Sequence, residues 1–205
     1  MMAQRGLPGQ DVSRETLERL HHYEGLLRKW NSTINLVSRS TIDSLWDRHF
    51  LDSAQIFSLV QPKGLWADLG SGGGFPGLVV SILAAERKPD LRVMLVESDL
   101  RKSIFLRTVV RELDLNALVL AERAEAVSPL GAAILSARAL APLAELLTFA
   151  ERHLRPDGTA VFPKGARFRA ELDAALASWR FDVQTFPSQT NPDAVILKIG
   201  GISRV

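Results

Sequence analysis

The sequence predicts a doubly wound α/β fold: a seven-stranded, mostly parallel sheet covered by helices, with an N-terminal helical extension. Three observations predict it. From Pro62-Lys63-Gly64 onward, short apolar strand patterns alternate with amphipathic helical ones. The first strand runs directly into a glycine-rich turn and a helix start. The last two strands follow one another without a helix between them, which predicts a closing antiparallel hairpin.

Residues 1 to 12 read as a loose tail. Met1 to Gln10 holds no apolar core of a signal peptide, so none is expected. Ser13 is placed to cap a helix that carries Leu17, Leu20, Tyr23, Leu27 and Trp30 at helical spacing. Asn31 to Ser38 is polar and reads as a loop. A second helical stretch starts at Ser40 or Thr41, carries Ile42, Leu45, Trp46 and Phe50, and continues to about Leu59. Strands are expected at Leu65–Asp68, Arg92–Glu97, Ala117–Ala121, Ala132–Ser136, Gly158–Phe162, Phe181–Phe186 and Ala194–Ile199. Helices are expected at Pro76–Glu86, Asp99–Leu113, Pro142–Leu154 and Arg167–Trp179. The expected division is residues 1–60 as a helical extension and 61–205 as the ligand-binding domain.

Composition narrows the class. Hydrophobic content of 46% and charged content of 23% are those of an ordinary globular domain able to bury a full core. Net charge is +2, so the sequence pI of 9.2 rests on a small surplus, and charge position matters more than the sum. There is no cysteine, which excludes a disulfide framework, a cysteine metal site and a thiol nucleophile. His21-His22 is adjacent rather than at ligand spacing, and His49 has no clustered histidine beside it. No metal is expected. The longest apolar run, Leu78 to Ala85, is interrupted by Ser81 and too short for a bilayer. A cytoplasmic protein without a membrane contact, and a monomer, are the expectations.

The glycine turn carries the ligand argument. Asp68-Leu69-Gly70-Ser71-Gly72-Gly73-Gly74-Phe75-Pro76-Gly77 follows the first strand. Glycines let a backbone turn tightly and approach a ligand, and the helix start offers free N–H groups. Gly72-x-Gly74-x-x-Gly77 formally fits a dinucleotide fingerprint, with Glu97 about 20 residues further on. Asp68 argues for another ligand. A carboxylate beside the turn repels a pyrophosphate, whereas the ammonium and sulfonium of S-adenosylmethionine tolerate it. Pro76 also removes an N–H donor that a phosphate would use. S-adenosylmethionine is therefore the expected ligand, with Glu97 accepting its ribose hydroxyls.

In such sheets ligands sit beyond the carboxyl ends of the strands. That rule selects Asp68, Gly70, Ser71, Gly72, Gly74 and Phe75 after the first strand, then Glu97 and Ser98 after the second. It adds Arg123, Ala124 and Glu125 after the third, Ala137 and Arg138 after the fourth, and Lys164 after the fifth. Arg138 has apolar neighbours and needs either a ligand or an acid such as Glu125 or Glu145. Lys164, Arg167 and Arg169 form a basic run with no acid until Glu171, a pattern suited to RNA phosphates. Arg48 and His49 lie on the second helical stretch near Asp47 and Asp52.

The residues also bound the chemistry. Pyrimidine carbon-5 methylation commonly needs the missing cysteine. Exocyclic-amine methylation typically uses an Asn/Asp-Pro-Pro-aromatic turn, where this chain reads Ser136-Ala137-Arg138-Ala139. A ring nitrogen such as guanine N7 has a free lone pair and needs only alignment and water exclusion. That argument permits N7 without selecting it.

Several segments together resemble the ribosomal RNA small subunit methyltransferase G family, also called glucose-inhibited division protein B. They are Trp30-Asn31 with Ile34-Asn35-Leu36, Arg48-His49 with Asp52-Ser53, and the glycine loop with its Phe75-Pro76-Gly77 ending. Lys102 with Phe105-Leu106, Arg123-Ala124-Glu125 and Arg138-Ala139 complete the set. The resemblance implies a class I, Rossmann-like methyltransferase fold. It implies N7 methylation of one guanine in the 530 loop of 16S rRNA (position 527), on bare rRNA or the small ribosomal subunit. It implies donor contacts from Gly70, Phe75, Ala124, Glu125 and Arg138. Glu97 stands where many members carry aspartate, Glu122 replaces a glycine, Ala137 replaces a serine, and Val37-Ser38-Arg39 differs from the usual threonine-alanine-isoleucine. Two other functions fit the glycine loop: an NAD-dependent oxidoreductase, and a non-catalytic ribosome-binding sensor of S-adenosylmethionine.

Overall fold

In the computed structural model, Leu7 and residues 11–205 apart from Pro62 are described. Most of the expected tail and the proline of the Pro62-Lys63-Gly64 boundary therefore lie outside the described residues. Helix α1 spans Arg14–Asn31, and Ser13 caps it by accepting the Thr16 N–H at 3.1 Å. The second helical stretch is not one helix. It comprises a 3₁₀ turn at Arg39–Ser44, a π turn at Trp46–Phe50 and helix α2 at Leu51–Ser58. Apolar spacing alone does not distinguish these, because a π turn keeps a near-helical stripe while inserting one extra residue per turn.

Among the described residues, seven strands form one sheet. They are β1 (Leu65–Leu69), β2 (Arg92–Val96), β3 (Ala117–Leu120), β4 (Ala132–Ala137), β5 (Leu154–Lys164), β6 (Trp179–Pro187) and β7 (Val195–Arg204). Their order is β3-β2-β1-β4-β5-β7-β6, with β1 to β5 parallel and β7 antiparallel to both β5 and β6. Helices α3 (Gly77–Arg87), α4 (Leu100–Glu112), α5 (Leu143–His153) and α6 (Phe168–Leu176) complete the chain. Strand β5 begins earlier than its apolar pattern. The expected strand is Gly158–Phe162, and the observed one starts at Leu154 with a register irregularity against β4.

The order reverses between β1 and β4, the place where doubly wound sheets bind ligands. Register aligns the relevant ends: Leu69 pairs with Val96 on one side and with Ala137 on the other. Gly70, Glu97 and Arg138 therefore leave the sheet side by side.

The N-terminal helices cover the face that carries α3 and α4. Tyr23, Leu27, Trp46, Phe50, Phe75, Leu78 and Phe105 belong to one buried apolar cluster. Residues 1–60 and 61–205 thus share a core across the expected division. Helices α5 and α6 cover the other face around Leu135, Leu147, Phe162 and Trp179. No helix among the described residues is long and apolar enough to cross a membrane.

Gly77 is where the first turn of α3 presses on the sheet. A Cβ there would stand 2.3 Å from Leu95 Cδ2 and 2.8 Å from Asp68 Oδ2. Gly77→Ala should therefore destabilise the fold by about 1–3 kcal/mol through overpacking. That loss outweighs the roughly 1 kcal/mol that alanine gains over glycine in a helix. Urea denaturation checks it, with parent-like stability as the contrary result.

Candidate functional site

A carboxylate with no solvent contact organises the glycine loop. Asp68 is 0% exposed. Its Oδ1 accepts the Ser136 hydroxyl at 2.7 Å, and its Oδ2 accepts the Gly77 N–H at 3.2 Å. Ser136 accepts in turn from Trp66 Nε1 at 2.8 Å, and Ser71 Oγ donates to the Asp68 carbonyl at 2.9 Å. Burial raises the Asp68 pKa to about 6, against the pull of these hydrogen bonds and of Arg138. The expected direct ligand contact is revised accordingly. Asp68 does not line the cavity in front of the loop, and it acts by holding β1, β4 and α3 together.

Glu97 performs the matching task from β2. Its Oε2 accepts the Gly72 N–H and its Oε1 accepts the Asp99 N–H, each at 2.8 Å. Asp99, not Glu97, caps α4 through the N–H groups of Arg101 and Lys102. Positive φ at Gly70, Gly72 and Gly74 gives the turn its shape. Tyr23, the only tyrosine of the chain, reaches across from α1 and donates its hydroxyl to the Gly73 carbonyl at 2.5 Å. Helical spacing marks Tyr23 as a core position; nothing in the sequence reveals that long-range bond.

In front of the loop lies a cavity of about 390 Å³. The loop, Phe75, His49, Arg48, Arg138, Thr190 and Asn191 line it. Arg138 is half-buried and makes no salt bridge among the described residues, so neither Glu125 nor Glu145 is its partner. It instead donates from Nη1 to His49 Nδ1, and its guanidinium sits 5.1 Å from the centre of the Phe75 ring. His49 also stacks on Phe75, at 5.0 Å between ring centres. Its Nε2 is 3.1 Å from Thr41 Oγ1, and Thr41 donates to the Ser38 carbonyl at 3.0 Å. Burial, then Arg138 and Arg48, lowers the His49 pKa to about 3. The ring is neutral, its Nδ1 accepts from the guanidinium, and its proton is on Nε2.

The π turn aims His49 into this cavity, and α2 ties down the opposite wall. Asp52 Oδ1 accepts the hydroxyls of Ser188 at 2.9 Å and Thr190 at 2.6 Å. Gln55 donates to the Pro187 carbonyl and accepts the Gln189 N–H. Thr190 and Asn191, and the bonds made by Thr41, Asp52 and Ser136, escape the sequence reading because they depend on contacts between distant segments.

The remaining candidates fall into place as follows. Ser98, Arg123 and Glu125 are exposed, and Ala124 is buried with its carbonyl accepting from His153 Nε2 at 3.0 Å. Lys164 is not a free cation. Its side chain is only 8% exposed, and Nζ bonds the Ala141 carbonyl at 2.9 Å and Glu171 Oε2 at 2.7 Å. Sequence reading counted Glu171 as the end of the basic run; one turn into α6, it is the partner of Lys164. Arg167 and Arg169 are exposed, with Arg169 against the Phe168 ring.

The family model of rRNA small subunit methyltransferase G matches residues 16–195. The chain belongs to that family. A protein from Ruegeria sp. (strain TM1040) named ribosomal RNA small subunit methyltransferase G is 54% identical over 201 residues, 98% of each chain. One of the same name from Cereibacter sphaeroides is 52% identical over 206 residues, covering all of both chains. Among solved structures, a SAM-dependent methyltransferase from Aquifex aeolicus aligns over 86% of this chain and 97% of its own, with a TM-score of 0.61 and 12% identity. Aeropyrum pernix fibrillarin, solved with natively bound S-adenosyl-L-methionine, aligns over 75% of each chain at 0.57 and 19% identity. At those identities the likeness concerns the fold, which is that of the class I methyltransferases. None of these relatives supports a nicotinamide-dependent reading.

The residues fit S-adenosylmethionine as the cofactor. A desolvated guanidinium that makes no salt bridge among the described residues suits an amino-acid carboxylate. The glycine backbone permits close approach to a ligand.

Asp68 makes folding sensitive to pH. Its folded pKa of about 6 lies above the ordinary 3.8, so folding favours the protonated acid. That contribution is complete below about pH 4 and lost as pH rises through 6. Parent stability should therefore fall by roughly 3 kcal/mol relative to Asp68→Asn between about pH 4 and 7. Paired denaturation curves measure this, and His49 contributes equally to both proteins. A constant difference would place the Asp68 pKa near its ordinary value.

Proposed function

We propose that the protein methylates N7 of a guanine in 16S rRNA, within the 530 loop, using S-adenosylmethionine. Family membership across nearly the whole chain is the observation that carries this reading. The site supports it chemically. Guanine N7 needs no proton removed before it attacks, so the site needs no base; Asp52, the carboxylate at this cavity, holds the Ser188 and Thr190 hydroxyls. The His49 Nδ1 lone pair is taken by Arg138 and its Nε2 carries hydrogen toward Thr41. When bound, S-adenosylmethionine supplies an electrophilic methyl group on a sulfonium sulfur.

The chain's own residues then hold and orient. Arg138 binds the carboxylate end of the donor, kept in place by His49 and Phe75. Glu97 holds the Gly72 turn and accepts ribose hydroxyls. Ala124 and Glu125 bound the adenine side, and Asp68 keeps the loop rigid. Arg48 at the cavity, with Arg167 and Arg169 on α6, meets RNA phosphates. The cavity is lined by a single chain, so a monomer suffices, acting on rRNA in the cytoplasm.

The deciding assay is borohydride and aniline cleavage of methylated 16S rRNA followed by primer extension, which detects N7-methylguanine. A product that resists cleavage, or donor binding without transfer, would defeat the reading; the latter would leave a sensor. With saturating substrate, the single-turnover rate should be flat between about pH 7 and 8.5. His49→Gln should keep measurable turnover, because its amide can still accept from Arg138. Arg138→Lys should lose activity despite keeping its charge, because the planar fork is gone. A rate that follows a histidine ionisation and vanishes in His49→Gln would make His49 a base.

Arg167→Ala with Arg169→Ala should leave S-adenosylhomocysteine affinity unchanged and weaken RNA binding. The salt dependence should flatten by a slope of about one per lost phosphate contact. Equal slopes in parent and variant would leave the two arginines merely solvated.

A further inference from the structure

A second cavity opens beside the first. Its volume is about 750 Å³, and Arg138, Ala139 and Ala194 line both, so the two are adjacent. It lies between the segment after β4, the end of β5 and the first turns of α6. Leu140, Pro142, Pro163 and Ala170 give it apolar walls, which suit the faces of a planar base. Its polar floor is the pair Lys164–Glu171.

That pair is asymmetric. Oε2 of Glu171 accepts from Lys164 Nζ at 2.7 Å and from the Leu143 N–H at 2.8 Å. Oε1 has no hydrogen-bond partner among the described residues, and the side chain is 28% exposed. One carboxylate oxygen is therefore fixed by a nearly buried ammonium and the start of α5. The other is held toward the cavity as a pure acceptor.

We propose that Glu171 reads the acceptor guanine in this second cavity, an inference that rests on the guanine-N7 function proposed above. Guanine presents two adjacent donors, N1–H and N2–H, on its pairing edge. Adenine presents an acceptor and a donor there, so an acceptor-only carboxylate rejects it. N7 lies on another edge of the ring. Holding the pairing edge at Glu171 leaves the N7 lone pair free to face the opening shared with Arg138. Lys164 positions Glu171 and offsets the cost of desolvating it. This accounts for a basic residue at the end of β5 whose ammonium is held by Glu171 and the Ala141 carbonyl.

Glu171→Gln isolates the proposal. Its carbonyl can keep the bonds to Lys164 and Leu143, while its amide places a donor where Oε1 stood. The substrates are small subunits reconstituted with 16S rRNA carrying guanosine or inosine at the target. Inosine lacks the N2 amino group and keeps N7. Single-turnover transfer of tritiated methyl is measured for both. The parent should prefer guanosine by about tenfold or more, since a site built around a substrate donor penalises its loss. The variant should lose about tenfold to a hundredfold on guanosine and show a guanosine-to-inosine ratio near one. A ratio taken within one enzyme does not depend on the folded fraction. A parent-like ratio in Glu171→Gln, or a parent indifferent to inosine, overturns the assignment. Failure of the parent to methylate N7 of guanosine at all is a separate result, and it would sink the proposed function instead.

Discussion

The buried carboxylate of Asp68 is the constraint on which the site depends. It comes from β1, yet its two oxygens serve other elements: Ser136 on β4 and the first N–H of α3. Burying an ionisable acid is costly unless its oxygens are hydrogen-bonded. Here the bonds do not fully offset burial, since the pKa stands near 6 rather than below its ordinary value. The return is geometric. The two central strands at the switch in strand order and the helix after the glycine turn are locked to one atom group. The loop between them then has little freedom left. Glu97 removes most of what remains by gripping Gly72 from the other side.

A rigid loop is only half a site. The other half comes from the N-terminal segment, which supplies Tyr23 beneath the loop and His49 beside Arg138. Arg138 is a desolvated cation with a neutral partner, so its charge remains available to a ligand anion. An acid in the place of His49 would hold the guanidinium more strongly but would neutralise it. The low pKa of His49 is thus part of the design: a protonated ring could not accept from Arg138 and would repel it. The chain from Arg138 through His49 and Thr41 to the Ser38 carbonyl fixes which nitrogen carries the proton. The helical extension is therefore a wall of the site as well as a cover for one face of the sheet.

The fold was legible because its signals are local. Strand and helix periods, Ser13 at a cap and the glycine turn at Gly70–Gly77 each depend on neighbours in sequence. The strand-end residues Gly70, Glu97 and Arg138 were legible too, because topology alone brings strand ends together. What local patterning could not show is direction and pairing. The loop pattern points Asp68 at the ligand, whereas its carboxylate is buried against donors on β4 and α3. In sequence, Lys164 forms one basic run with Arg167 and Arg169. In space Glu171 folds back one helical turn and takes it out of that set. Apolar spacing over Ile42–Leu59 predicts ordinary helix, whereas Trp46–Phe50, which carries His49, is a π turn.

These corrections change how catalysis is divided within the site. Had Asp68 faced the cavity, a carboxylate would have stood near the transferring group and offered a base. With Asp68 withdrawn, both nitrogens of His49 committed and Asp52 holding the Ser188 and Thr190 hydroxyls, the titratable groups around Arg138 serve structure rather than proton transfer. A nucleophile that reacts there must bring its own lone pair, and the protein contributes distance, angle and exclusion of water. Such a site discriminates by shape and hydrogen bonding to the acceptor rather than by activating it. The selective groups must then lie where the acceptor's far edge rests, away from the glycine loop. The apolar slot with a fixed carboxylate oxygen, one cavity beyond Arg138, satisfies that requirement.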